Sequence, residues 1–329
     1  MATATKTPPT PWRVTSPSAP KPKKNKANDG AVVKSLNGKW GYLFTAPFVV
    51  MFLLFGLAPV VYSVYIAFFQ WDPLDMTHTF IGIDNFKRVI VDGQFWLAVG
   101  NTFSIWAMST FPQMVMAIGL ANVLRNPKLK FKTFWRTMLL VPNITSVLAV
   151  AIVFGQLFSR DFGLVNLARE WLGMPNHINF VSETIPGHIA IATMITWRWL
   201  GYNSLIFLAA MLAVPNELYE AASIDGASSW RQFTNVTLPG IRNTITFVLV
   251  VGTIGGLQVF AEPLTLAGGE SGGDSRQFST LTLFLFEQAH IGNWGYAATI
   301  GIMITFIVLI ISGINFFFTR RIANGENVQ

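Results

Sequence analysis

The chain has 329 residues, of which 52% are hydrophobic and 12% charged, with a net charge of +7 and a mean hydropathy of +0.46. A soluble domain carries about a quarter charged residues, so one water-soluble core of this length would leave apolar surface uncovered that a bilayer would cover. There is no cysteine, which excludes disulfides, thiolate metal sites and cysteine nucleophiles.

In chain order, residues 1–40 are rich in Pro, Lys, Ser and Thr and hold too few apolar groups to offset the entropy of ordering. They read as a disordered basic tail and not as a signal peptide, because the first apolar run starts about forty residues in and far exceeds a signal h-region. A helix crosses the hydrocarbon core with about 20 apolar residues. Six stretches meet that need: 42–69, 95–124, 137–159, 185–212 (interrupted by His188 and Arg198), 243–261 and 291–319. Ser279–Phe286 is apolar but too short to cross, and residues 322–329 form a polar C-terminal tail. The expected fold is an all-α polytopic membrane protein with six transmembrane helices.

The basic residues orient these spans. Seventeen of the 23 Lys and Arg fall on the side shared by the two termini, five on the other side and one, Arg198, within a span. Basic residues are retained in the cytoplasm, so both termini are expected there. The net charge is a topology signal and gives no ground for expecting nucleic acid as a partner.

Between the fourth and fifth spans lies a polar segment, 215–241, that reads as two short helices around a turn. Asn216 can cap the first helix, whose early Glu217 and Glu220 suit the positive end of the helix dipole. Asp225-Gly226 supplies the break, because glycine accepts the left-handed backbone that ends a helix. Ser229 and Gln232 have capping-box spacing for the second helix, and Pro239 ends it. By physics alone the segment is either a plain connection or a docking surface; the adjacent small residues Ala221 and Ala222 allow a partner's surface to approach the backbone.

The string Glu220-Ala-Ala-Ser-Ile-Asp225-Gly226-Ala227, followed by Val236-x-Leu238-Pro239, resembles the EAA loop of permease subunits in binding-protein-dependent ABC importers, in the version found in maltose-type carbohydrate uptake. Phe80-Ile-Gly-Ile-Asp-Asn-Phe86, then Phe95-Trp96 and Asn101-Thr102, resembles the stretch entering that family's second span. The similarity covers roughly residues 41–321. It implies the type I ABC importer permease fold in the cytoplasmic membrane of a prokaryote. It also implies a second homologous permease, two copies of a cytoplasmic ATPase carrying ATP and Mg, and an extracytoplasmic sugar-binding protein, with membrane lipid around the spans. In that family the loop docks into a cleft on the ATPase. Glu220 would pair there with a basic group, Ala221, Ala222 and Ala227 would pack closely, Gly226 would form the bend, and Asp225, Leu238 and Pro239 complete the motif. Trp197-Arg-Trp-Leu-Gly-Tyr-Asn203 and Arg276-Gln-Phe-Ser-Thr280 resemble permeases for cellobiose and related β-glycosides.

No G-x-x-x-x-G-K-[ST] loop exists, so the chain has no P-loop of its own and no catalytic or cofactor site is expected on it. Arg198 between Trp197 and Trp199 is an intramembrane ion, hence a functional candidate that should face the bundle or a wet cavity. Its plain alternative is a structural tie to carbonyls or to Glu262. Asn143, Asn203 and Gln258 join these residues as candidates for a substrate pathway, while Gln113, Gln156 and Asn315 are further polar groups able to serve helix packing. The glycine-rich Gly268–Asp274 run follows no strand and reads as an outer loop able to reach a binding protein. The four histidines have no ligand spacing, so no metal is expected. A glycerol-phosphate permease shares the same loop and remains an alternative. An ion-coupled secondary transporter would need intramembrane carboxylates, and only Glu262 lies near a span.

Overall fold

The computed structural model describes residues 40–72, 77–174 and 176–324. The expected N-terminal tail before residue 40 and the last five residues of the expected C-terminal tail lie outside the described residues. By internal contact the chain divides at Pro59, with a first unit up to that residue and a second from Val60 onward.

The described chain is mostly helical. Three helical runs, Gly41–Ile66, Gly93–Arg125 and Trp294–Phe317, are long and apolar enough to cross a membrane by themselves. Three further pairs qualify jointly but bend at a short break: Lys132–Ile144 with Val147–Leu157 (92°), Thr184–Leu212 with Asn216–Ile224 (72°), and Ser229–Gly240 with Arg242–Gly256 (66°).

The first run is α-helical over Trp40–Met51 and Ala58–Ile66, with a π-helical stretch, Phe52–Leu57, between them. A second π stretch, Phe233–Thr237, precedes Leu238–Gly240. Both end two residues before a proline, Pro59 and Pro239. A proline ring clashes with the carbonyl four residues back, and the wider π turn relieves that crowding without breaking the helix.

Four sequence-derived boundaries are corrected. The first span was expected to reach Phe69, but the helix ends at Ile66 and Phe69–Asp72 pairs antiparallel with Thr77–Phe80, with Phe69 opposite Phe80 and Trp71 opposite His78. The mostly helical fold thus carries a two-stranded hairpin that was not expected, and alternating aromatic and β-branched residues explain it. The third span was expected to be continuous over 137–159. It is broken at Thr145, whose backbone is extended, and at Ser146, whose ψ of 131° also leaves the helical region. Thr145 Oγ1 donates to the Val141 carbonyl at 2.7 Å, competing with the helical ladder, and Pro142 brings no N–H to it. The fifth span was expected to end at Ala261; the helix stops at Gly256, the chain runs irregularly through Leu257–Phe260, and Ala261 opens a separate helix, Ala261–Ala267. The last span was expected to open at Ile291, but its helix starts at Trp294, after Gly292 takes a φ of 91°.

Gly93–Arg125 and Thr184–Leu212 form the central helix pair. Gly201 lets it meet the chain before it, because a Cβ there would stand 1.8 Å from the Leu139 carbonyl oxygen. Three apolar clusters fill the second unit: one around Phe158, Ile191, Met194 and Phe278, one around Phe95, Trp106, Phe284 and Ile300, and one around Leu124, Phe207, Met211 and Ile241. Asp92 ties the start of one long helix to another. One of its carboxylate oxygens caps Gln94 N–H at 2.8 Å, and the other accepts from the Tyr296 hydroxyl at 2.5 Å.

Candidate functional site

Two regions bring the sequence candidates together. The first is a cavity of about 460 Å³, within the roughly 300–1,000 Å³ typical of small-ligand sites. Its wall is built from Ser109, Thr110 and Gln113 of Gly93–Arg125, from Arg198, Trp199, Tyr202 and Asn203 of Thr184–Leu212, from Phe247 to Gly256 of Arg242–Gly256, and from Gln258 to Glu262 beyond it. The turn-by-turn spacing of Arg198, Tyr202 and Ile206 places one face of Thr184–Leu212 against the cavity. Gly252, Gly255 and Gly256 line it as well, and Gly256 lets its helix close on Trp106, where a Cβ would stand 2.5 Å from the ring.

Of the pathway candidates, Arg198, Trp199, Asn203 and Gln258 line this cavity. Trp197 instead packs at a tilt against Phe154, with 5.7 Å between ring centroids. Asn143 sits in the short Val141–Ile144 helix away from the wall. Gln113 is a lining residue, whereas Asn315 donates to Thr253 Oγ1 at 2.9 Å, an interhelical tie of the kind expected for packing.

Arg198 Nη1 lies 2.6 Å from Glu262 Oε1, with the two side chains 12% and 8% exposed. Intramembrane ions survive when paired, and this pair closes the cavity wall between two helices. Glu262 also lies in the first turn of Ala261–Ala267, where the helix dipole favours an anion. Arg198 Nε and Gln113 Nε2 are buried donors without a hydrogen-bond partner among the described residues.

The glycine-rich loop turns back onto the bundle. Gly272 and Gly273 have φ of 77° and 92°, and the following residues are hooked at several points. Asn101 Nδ2 donates to the carbonyls of Arg276 and Ser279 at 3.0 and 3.1 Å, and Leu281 N–H donates to Thr102 Oγ1 at 2.9 Å. His188 Nε2 lies 2.8 Å from the Gln277 carbonyl, which makes it the donor, and Gln277 Nε2 donates to Val181 O at 2.6 Å. Arg276 and Glu287 make a bidentate pair with both contacts at 2.7 Å. The Arg276–Thr280 string and the Asn101-Thr102 pair thus meet in one clamp. The short apolar run behind it is a helix, Leu281–His290, capped by Thr280.

The second region is the helical hairpin formed by Asn216–Ile224 and the run from Ser229 to Gly240. Gly226 has a φ of 74°. Gly226 N–H donates to Ser223 O and Ala227 N–H to Ala222 O, at 3.1 and 2.9 Å, which is the Schellman closure expected of a glycine stop. The caps differ from expectation: Pro215 occupies the first N-cap, so Asn216 is already helical, and Ser228 caps the second helix by accepting from Arg231 N–H at 3.4 Å. Gln232 Nε2 reaches back across the turn to Ser223 Oγ at 3.0 Å and Ala227 O at 3.2 Å, fixing the two legs together. Glu220, Ala221, Asp225 and Gly226 are exposed, while Ala222, Ala227, Leu238 and Pro239 are half-buried. Ile224 and Trp230 are 87% and 71% exposed on the same hairpin. Sequence reasoning missed them; the signal was two large apolar residues in an otherwise polar segment.

Among the described residues, no group of three or more His, Asp or Glu lies close enough to hold a metal ion. Residues 113–324 match the family described as binding-protein-dependent transport system inner membrane component. The chain is 34% identical over 286 residues to the lactose transport system permease protein LacF of Rhizobium radiobacter, covering 85% of this chain and 94% of that one. It is 34% identical over 273 residues to the arabinooligosaccharides transport system permease protein AraP of Bacillus subtilis (strain 168), covering 82% and 85%. A chain of the bacterial alginate ABC transporter, solved in complex with alginate pentasaccharide-bound periplasmic protein, superposes with a TM-score of 0.74 at 24% identity, covering 88% of this chain and 97% of that one.

Proposed function

Since this chain belongs to the family of binding-protein-dependent transport system inner membrane components, we propose that it is the permease subunit of an ATP-driven importer for a di- or oligosaccharide. It crosses the cytoplasmic membrane six times, each bent pair contributing one crossing (Thr184–Leu212 and Arg242–Gly256 in the two pairs that include the hairpin legs), with both termini and the 216–240 hairpin on the cytoplasmic side. The lysines and arginines between the spans support that orientation, and relatives that carry lactose and arabinooligosaccharides support the cargo class. ATP hydrolysis belongs to a separate ATPase, two copies of which dock this chain and a second permease. An extracytoplasmic protein delivers the sugar.

The observation that carries this reading is the hairpin. It exposes a carboxylate at Glu220 and large apolar groups at Ile224 and Trp230 on a rigid, cross-tied frame. Such a surface suits a protein cleft with a basic group in it. Closure of the ATPase dimer would displace the hairpin and open the cavity to the outside; hydrolysis would reset it.

The cavity favours an uncharged cargo over glycerol phosphate. Its cation, Arg198, is matched by Glu262, and its remaining polar wall offers amides, hydroxyls and the aromatic groups of Trp199 and Tyr202, which suit hydroxyl edges and C–H faces. In proteoliposomes holding the complete complex, Gly226→Pro is expected to insert and assemble but to lose uptake, because proline cannot adopt the positive φ. Normal uptake by that variant, or sugar transport by this chain without an ATPase, would overturn the proposal.

A further inference from the structure

Beside the apolar packing of Tyr219, Phe233 and Val236 on the bundle, three connections join the hairpin to the cavity wall, and they differ in stiffness. Two are covalent. Thr184–Leu212 leads into Asn216–Ile224 through a 72° bend, and Ser229–Gly240 leads into Arg242–Gly256 through a 66° bend. Both are breaks in a helix, where backbone torsions can absorb displacement. The third connection is non-covalent and has no such break. Arg125 ends the Gly93–Arg125 helix, and its guanidinium lies 4.0 Å from the centroid of the Tyr219 ring, in the first leg of the hairpin. Arg125 Nη1 also donates to Thr237 Oγ1 at 3.3 Å, in the second leg, and the Tyr219 hydroxyl lies 3.0 Å from the same oxygen.

We propose that Arg125, Tyr219 and Thr237 form the joint that transmits hairpin displacement to the cavity, an inference that rests on the coupling role given to the hairpin above. Thr237 is only 1% exposed, with Leu124, Val214 and Ile241 also buried, while Arg125 and Tyr219 are half-buried against it. The planar guanidinium covers a ring with its face while donating from its edge, which an ammonium cannot do. A cation also suits a helix C-terminus. The same helix presents Gln113 to the cavity, with Ser109 and Thr110 on the far side of Pro112. From Gln113 to Arg125 it contains no proline and spans roughly 18 Å at helical rise. Pulling the joint therefore moves the Gln113 part of the cavity wall as a rod, while the two covalent routes flex. Arg125 and Thr237 are positioning residues, since neither touches cargo or nucleotide.

The test uses the full complex in proteoliposomes and reads sugar taken up per ATP hydrolysed, together with the ATPase stoichiometry of the purified complex. Arg125→Ala is expected to keep that stoichiometry while uptake per ATP falls about tenfold, within the range of a coupling between sites. Arg125→Lys should be intermediate, and the near-isosteric Thr237→Val should give a smaller loss. A purely structural role would lower yield and stoichiometry and leave the ratio unchanged, and that result would overturn the joint. So would a wild-type ratio in Arg125→Ala while Gly226→Pro is inactive; the coupling hairpin would then stand without it. If Gly226→Pro itself transports normally, the coupling reading falls, and the joint falls with it.

Discussion

Arg198 and Glu262 are two ions removed from water, each tolerable only because of the other. Removing one partner of such a pair leaves an uncompensated charge and costs about 3–5 kcal/mol, whereas replacing both with apolar groups is often neutral. Glu262→Gln is therefore expected to lower the thermal midpoint of the detergent-purified chain well below wild type. Arg198→Met combined with Glu262→Leu should restore most of it. A single variant as stable as wild type would mean that the cavity wall does not rest on the pair. The double variant is also informative for cargo, since it keeps the fold and removes both charged groups from the wall.

At the scale of the element, close approach matters more than propensity. Thr184–Leu212 crosses the Leu139 backbone at Gly201, where a side chain would meet a carbonyl that cannot move aside. Gly201→Ala should reduce the yield of folded protein and its midpoint, while Gly100→Ala, where a methyl group would point into open space, should gain slightly through helix propensity. Fluorescence-detected size exclusion after a heating series would separate the two. Much of this level was legible in the sequence. The boundaries of Gly93–Arg125 and Thr184–Leu212 follow from long apolar runs, the second interrupted only by His188 and Arg198, and the hairpin turn follows from Asp225-Gly226. Breaks within apolar runs were not legible, because hydropathy is blind to the Thr145 hydroxyl that competes for a carbonyl or to the glycines that release the chain at Gly256. The cavity was half legible for the same reason. Arg198, Asn203 and Gln258 stand out as polar groups in apolar runs, but only packing shows that Trp197 turns to Phe154 while Trp199 faces the opening.

For the whole molecule, the absence of cysteine makes the topology directly measurable. Single substitutions at exposed positions report sidedness with an impermeant thiol reagent and need no background removal. Lys128→Cys is expected to react only from the cytoplasmic side, and Glu170→Cys and Asp274→Cys only from outside. Labelling of Lys128→Cys from outside would invert the chain and detach the hairpin from any cytoplasmic ATPase.

The unbroken helix from Gly93 to Arg125 has a thermodynamic consequence as well as a mechanical one. A rod that lets one end shift the other cannot be one-way, because coupling free energy between two sites is the same whichever is occupied first. If hairpin engagement by nucleotide-closed ATPase favours one form of the cavity, a sugar that favours that form strengthens nucleotide binding by the same factor. Occupancy at one end of the helix would thus be legible at the other, and an ATPase docked on the hairpin would sense the presence of cargo without touching it.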